Sequence, residues 1–79
     1  MNFSDQLHAY MKALSCSARD ICDASGISAA SFSRYKNGER IPELGTKAFD
    51  GLCDAIAGIA AQKSMTDITS DSVRESFLA

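Results

Sequence analysis

Strand-forming patterns are scarce in this sequence: it has a single valine, Val73, and no stretch alternates apolar and polar side chains in the β-branched and aromatic types that build sheets. No apolar run approaches the length of a membrane span, and the opening MNFSDQLHAYMK places Asp5 and Gln6 where a secretory signal needs a basic start and an apolar stretch. The chain is therefore expected in the cytoplasm. Its cysteines, Cys16, Cys22 and Cys53, are odd in number and lack C-x-x-C spacing, and only His8 could add an imidazole ligand. No metal, cofactor or disulfide framework is expected, and the thiols read as small buried side chains in a reducing compartment. Global positive charge is missing too. Eight Lys and Arg against ten Asp and Glu leave a net charge of −2, so a nucleic-acid reading must survive an acid excess.

What remains is an ordinary small globule, 46% apolar and 23% charged over 79 residues. Area scaling for this mass gives roughly 4,600 Å² exposed when folded, about 60% less than the unfolded chain. That supports a modest core without staples.

Helical spacing recurs along the chain. Phe3, Leu7, Tyr10 or Met11, and Leu14 step by three and four, and with Ser4 as N-cap they predict a helix over residues 5–14. Ser17 and Asp20 have capping-box spacing and open a short second helix, which Ser25-Gly26 interrupts. Ser28 caps a third, with Ile27 and Phe32 spaced as a hydrophobic staple; this helix runs from Ala29 to about Lys36, buries Phe32 and Tyr35, and ends at Asn37-Gly38. Pro42, Glu43, Leu44 and Gly45 form a loop. Thr46 caps a fourth helix with Phe49, Leu52, Cys53, Ile56 and Ile59 on one face, interrupted by Gly51, which suggests close packing, and by Gly58, an end or a weak point. Ile68, Val73, Phe77 and Leu78 suffice for a fifth helix from about Ser70. The fold class is all-α, a compact bundle of four to five helices.

The stretch SARDICDASGISAASFSRYKNGERIP, Ser17 to Pro42, resembles without gaps the helix-turn-helix of the lambda-repressor and Cro-like (XRE-type) DNA-binding regulators. Cys22 stands where that family needs a small residue for close helix crossing, Gly26 at the turn, and Ile21, Ile27, Phe32 and Tyr35 at buried positions; Asn37-Gly38, a following base and Pro42 match the ending. The resemblance covers residues 1 to about 60 and loosens after Pro42, where the connection to Phe49 is about two residues longer than the family's usual spacing.

The resemblance implies a lambda-repressor-like bundle with the third helix in the DNA major groove and the second crossing above the backbone. Ser28, Ala29, Ala30, Ser33 and Arg34 then contact bases. Arg34 can take guanine O6 and N7 together, worth about 1 to 3 kcal/mol of discrimination, whereas the two alanines can only offer methyl contact to thymine. Phosphates fall to Ser17 and Ala18 at the start of the second helix and to Lys36, Asn37, Arg40 and Lys47 around the exit of the third. The family commonly has Gln at the position of Ala18, so its clamp between backbone and base is missing. The implied partner is double-stranded DNA, bound by a homodimer for which residues 68–78 are one candidate interface, in a regulator of bacterial or phage type that joins the nucleoid when bound.

No catalytic arrangement competes. The serines lack His or Lys partners at meaningful spacing, so the chain is not expected to be an enzyme. A protein-interaction module on the same scaffold is the alternative, favoured by the acid excess, Ala18 and the small outer residues of the third helix. Residues 1–65 form the DNA-binding domain; residues 66–79 pack as a fifth helix, serve as a dimerisation element, or begin a further region of a longer regulator. The charge divides along the chain: −1 over residues 1–11, +2 over 12–47 and −3 over 48–79. Positive charge thus coincides with the segment expected to meet DNA.

Overall fold

The computed structural model describes residues 2–43 and 45–78; Met1, Leu44 of the expected loop and Ala79 lie outside the described residues. Five helices follow one another, α1 (Phe3–Leu14), α2 (Ala18–Ser25), α3 (Ala29–Lys36), α4 (Lys47–Gln62) and α5 (Ser70–Leu78), and no strand occurs among the described residues. The exposed surface, 4712 Å², is close to that expected for a packed domain of this mass.

Local chemistry sets most boundaries. Ser17 accepts from the Asp20 amide while the Asp20 carboxylate accepts from the Ser17 amide, a complete capping box at the start of α2. Gly26 ends that helix at φ 77°, a left-handed geometry that glycine adopts without a Cβ penalty. Ser28 caps α3 through the Ser31 amide and Thr46 caps α4 through the Phe49 amide. Helix α1 begins earlier than the spacing predicts: Asn2, as good a cap as serine, accepts from the Asp5 amide, and Phe3 enters the helix as a buried residue. Ser4 is thereby inside α1, with its hydroxyl free for another partner.

The core gathers one face of every helix. Leu7 and Leu14 of α1, Ile21 of α2, Phe32 and Tyr35 of α3, Val73 of α5 and the α4 face of Phe49, Leu52, Cys53, Ile56 and Ile59 are all buried. Ile27 is half-buried against this core. Gly51 lies within α4 where a Cβ would meet the Ser25 carbonyl oxygen at 3.2 Å, so α4 passes close to the end of α2. Gly58 does not end α4, and a Cβ there would meet nothing within 4 Å. Only Cys53 among the thiols is buried. Cys16, beside the α1–α2 turn, and Cys22, beside a surface groove, are half-buried because neither faces the centre of the bundle.

Helix α5 closes the bundle. Phe77 packs against Phe3, Tyr10 and Phe49 with ring centroids 4.7, 5.6 and 6.4 Å away. Arg74 bonds Asp50 at 3.0 Å and Ser70 bonds Asp54 at 2.6 Å, tying α5 to α4. Of the apolar side chains in 68–78, Val73 is buried, Ile68 and Phe77 pack on the core, and Leu78 is 54% exposed.

Candidate nucleic-acid interface

Helix α3 sits at the surface with Phe32 and Tyr35 turned in, and this anchorage decides what its other side presents. Ser28, Ala29, Ala30, Ser33, Arg34 and Asn37 are all exposed. From Ser28 to Gly38 there are two bases, Arg34 and Lys36, and no acid. The amides of Ala29 and Ala30 belong to the helix's first turn, which holds no acidic side chain of its own, although Asp23 of α2 lines the same groove as Ala29.

The start of α2 differs. There the Ser17 amide donates to Asp20 at 3.0 Å, and this bond first, then the Ser17 hydroxyl, holds the Asp20 carboxyl below the usual carboxylate range. A phosphate approaching Ser17 and Ala18 would meet a carboxylate already seated on the helix end.

Ala18, Ala29, Ser33 and Lys36 line a single groove of about 660 Å³ between α2 and α3. Cys22, Ile27 and Phe32 line it too, and the ion pair of Arg19 with Asp23, 3.8 Å apart, stands beside them. Ser28, Ala30 and Arg34 lie outside that lining. Arg40 lines a separate depression with Tyr35, Pro42 and Thr46, and Lys47 is exposed as the first residue of α4.

Two residues that the sequence presents in other roles, Ser4 as an N-cap and His8 as a lone imidazole, fix the pose of α3. The last carbonyls of a helix lack helical partners. In α3 the Ser33 carbonyl accepts from the Asn37 amide, Arg34 from the Glu39 and Arg40 amides, and Tyr35 from the Gly38 amide. The Lys36 carbonyl instead takes the Ser4 hydroxyl at 2.8 Å and lies 3.0 Å from His8 Nε2, which must carry its hydrogen to bond there. Helix α1 thus clamps the end of α3 through side chains 32 and 28 residues distant in sequence. No local signal could have revealed this, because the acceptor is a main-chain atom.

Among the described residues, no group of three or more His, Cys, Asp or Glu side chains is placed to hold a metal ion, and no helix is long and apolar enough to cross a membrane. No family model, curated protein or solved structure matches the chain.

Proposed function

We propose that the chain is a sequence-specific double-stranded-DNA-binding transcriptional regulator of the lambda-repressor and Cro-like type, with α2 and α3 as its helix-turn-helix and α3 as the recognition helix. The observation that carries this reading is the division of α3: Phe32 and Tyr35 are buried, while Ala29, Ala30, Ser33 and Arg34, with the cap Ser28 at the leading end, are all exposed on a helix free of acids. A polar helix held rigidly at the surface, amino end outward, suits entry into a major groove. Arg34 supplies the bidentate contact to guanine. Lys36, Asn37, Arg40 and Lys47 supply backbone contacts, joined by the α3 amides more than by the α2 end that Asp20 occupies.

The reading includes a homodimer. The longest extent of one copy is 31 Å, short of the roughly 34 Å between successive major-groove faces, so one copy reads one half-site. The protein acts in the cytoplasm on chromosomal or phage DNA and needs no cofactor.

Selection from a random duplex pool at low salt, followed by binding titrations across salt, tests the proposal. Three phosphate-facing bases per copy, Lys36, Arg40 and Lys47, give a slope of log K against log salt near −5 for a dimer. An enriched two-fold motif that Arg34→Ala loses supports it. Failure to enrich any motif refutes it and favours a protein-interaction module, for which the carboxylate on α2 and the open groove between α2 and α3 speak.

A further inference from the structure

We infer that the depression between the end of α3 and the start of α4 binds a small α-amino acid as its zwitterion, with the carboxylate on Arg40 and the Tyr35 hydroxyl and the ammonium on Glu43. The depression holds about 220 Å³ and is lined by Tyr35, Arg40, Ile41, Pro42, Glu43 and Thr46. Tyr35 is only 6% exposed and its ring stands edge-on to Phe3, yet its hydroxyl has no hydrogen-bond partner among the described residues. A buried tyrosine hydroxyl normally finds one. None of the described side-chain oxygens is both sealed from solvent and without a partner, so the Tyr35 hydroxyl opens outward, at the depression that the residue lines. Arg40 and Glu43 bring opposite charges to the same lining. Both are exposed, and neither forms an ion pair or a side-chain hydrogen bond. The Thr46 hydroxyl is already engaged, donating to the Glu43 carbonyl at 2.6 Å and accepting from the Phe49 amide.

The chemistry of the three free groups selects the ligand. A guanidinium takes a carboxylate through two parallel bonds, and a phenolic hydroxyl can donate a third. Glu43, as an acceptor only, calls for a donor. Inorganic phosphate or a DNA phosphodiester would satisfy Arg40 and Tyr35 but bring negative charge towards Glu43. An α-amino acid carries both charges and serves all three groups, with Ile41 and Pro42 beside its aliphatic part. Size agrees. Sites for drug-sized ligands run to about 300–1,000 Å³, whereas 220 Å³, at about 30 Å³ for each water, has room for about seven non-hydrogen atoms, the size of alanine or serine. Because Arg40 is also assigned above to the DNA backbone, an occupied site would withdraw one cation per copy from DNA, a consequence that, unlike the site itself, rests on the DNA-binding reading.

Titration of the isotope-labelled full chain with L-alanine, followed through its amide shifts, tests the site. The comparison ligands are L-lactate, which has a hydroxyl in place of the ammonium, ethylamine, which has no carboxylate, and inorganic phosphate. Saturable shifts at Tyr35, Arg40, Ile41, Glu43 and Thr46 are expected with millimolar alanine, at higher affinity than with any of the three. Tyr35→Phe keeps the buried ring and should weaken binding about two- to tenfold, one net hydrogen bond, with Tm unchanged. Arg40→Gln should weaken it about tenfold or more, as loss of a charge-assisted pair. Glu43→Gln should bring alanine and lactate to the same affinity. No localised shift with alanine, or binding that Tyr35→Phe leaves unmoved, overturns the inference. Lactate or phosphate binding as tightly as alanine would make this a plain anion site and overturn it too. A short duplex that moves these amides when alanine does not would give the depression to a phosphodiester, so that the amino-acid inference falls while the DNA reading stands.

Discussion

Removing the clamp on the Lys36 carbonyl should loosen the end of α3, and its energetics can be separated from the side effects of mutation. Ser4→Ala and His8→Ala each delete one of the two donors. A net hydrogen bond is worth about 0.5–1.5 kcal/mol, but both substitutions also place the best helix former inside α1, a gain of up to about 0.6 kcal/mol each. Single variants should therefore melt within a few degrees of the parent. The double variant differs, because the Lys36 carbonyl then keeps neither donor, and an orphaned, partly buried carbonyl costs about 1–3 kcal/mol. Helix-propensity gains at the two positions add, so they cancel in a double-mutant cycle, leaving a coupling of about 1 kcal/mol. For a domain of this size 1 kcal/mol moves Tm by roughly 4–8 °C.

Denaturant or thermal unfolding of the four proteins measures the coupling, and amide exchange at Asn37 and Glu39 locates it, since those amides close the same helix end. Faster exchange at both amides, with the rest of the core protected, is expected in the double variant. Additivity within about 0.3 kcal/mol, the scatter of independent sites, would refute the clamp.

Gly58→Ala should stabilise the fold by about 1 kcal/mol, as an interior helix position with open space around the new methyl, whereas Gly51→Ala must press against the Ser25 carbonyl at 3.2 Å. A Gly51→Ala protein that melts as high as Gly58→Ala would show that α4 and α2 are not held at that spacing. Burial pushes the Cys53 thiol up from 9.0 to about 11, so the fold keeps a proton that the unfolded chain releases; its contribution, at most about 3 kcal/mol, is intact below pH 9 and declines towards pH 11. Chemical unfolding across that window should show a downward slope that Cys53→Ala lessens, and an unchanged slope would contradict the burial argument. Asp20→Asn keeps an acceptor for the Ser17 amide and removes the charge at the α2 end, so the DNA salt slope should steepen by up to about one per copy; a shallower slope would show that the carboxylate does not face phosphate.

Local punctuation made α2 and α3 legible. Ser17 with Asp20, Gly26, Ser28 and the Asn37-Gly38 pair each act over a few residues, and the helices they bound run from Ala18 to Ser25 and from Ala29 to Lys36. At α1 the same logic met two adequate caps, Asn2 and Ser4, and spacing alone could not rank them. The helix takes the cap that draws Phe3 inside. Gly51 was readable through its cost, since a helix keeps an interior glycine where a neighbour comes close. The groove was not readable. Ala18 read as a missing clamp and Ala29 as a methyl contact, and what lies behind them depends on how α2 meets α3. The clamp was further out of reach, because hydrogen bonds to main-chain atoms leave no mark on the acceptor's residue type.

The acid excess can now be placed element by element. Helices α4 and α5 hold Asp50, Asp54, Asp71 and Glu75, and two of these acids already engage Arg74. Their charge belongs to the side that braces the bundle. On α2, Asp20 is committed to the cap and Asp23 to Arg19. Helix α3 alone carries cations without acids. A net charge of −2 therefore does not oppose DNA binding at α3; it restricts it to α3 and, in the loop that follows, to Arg40, which stands between Glu39 and Glu43. With so narrow a basic surface a single copy has few phosphates to hold, and long-range steering is weak. The affinity of the proposed regulator must then come from two copies acting on one site and from close fit along α3, which places the chemical identity of the bases at the centre of its selectivity.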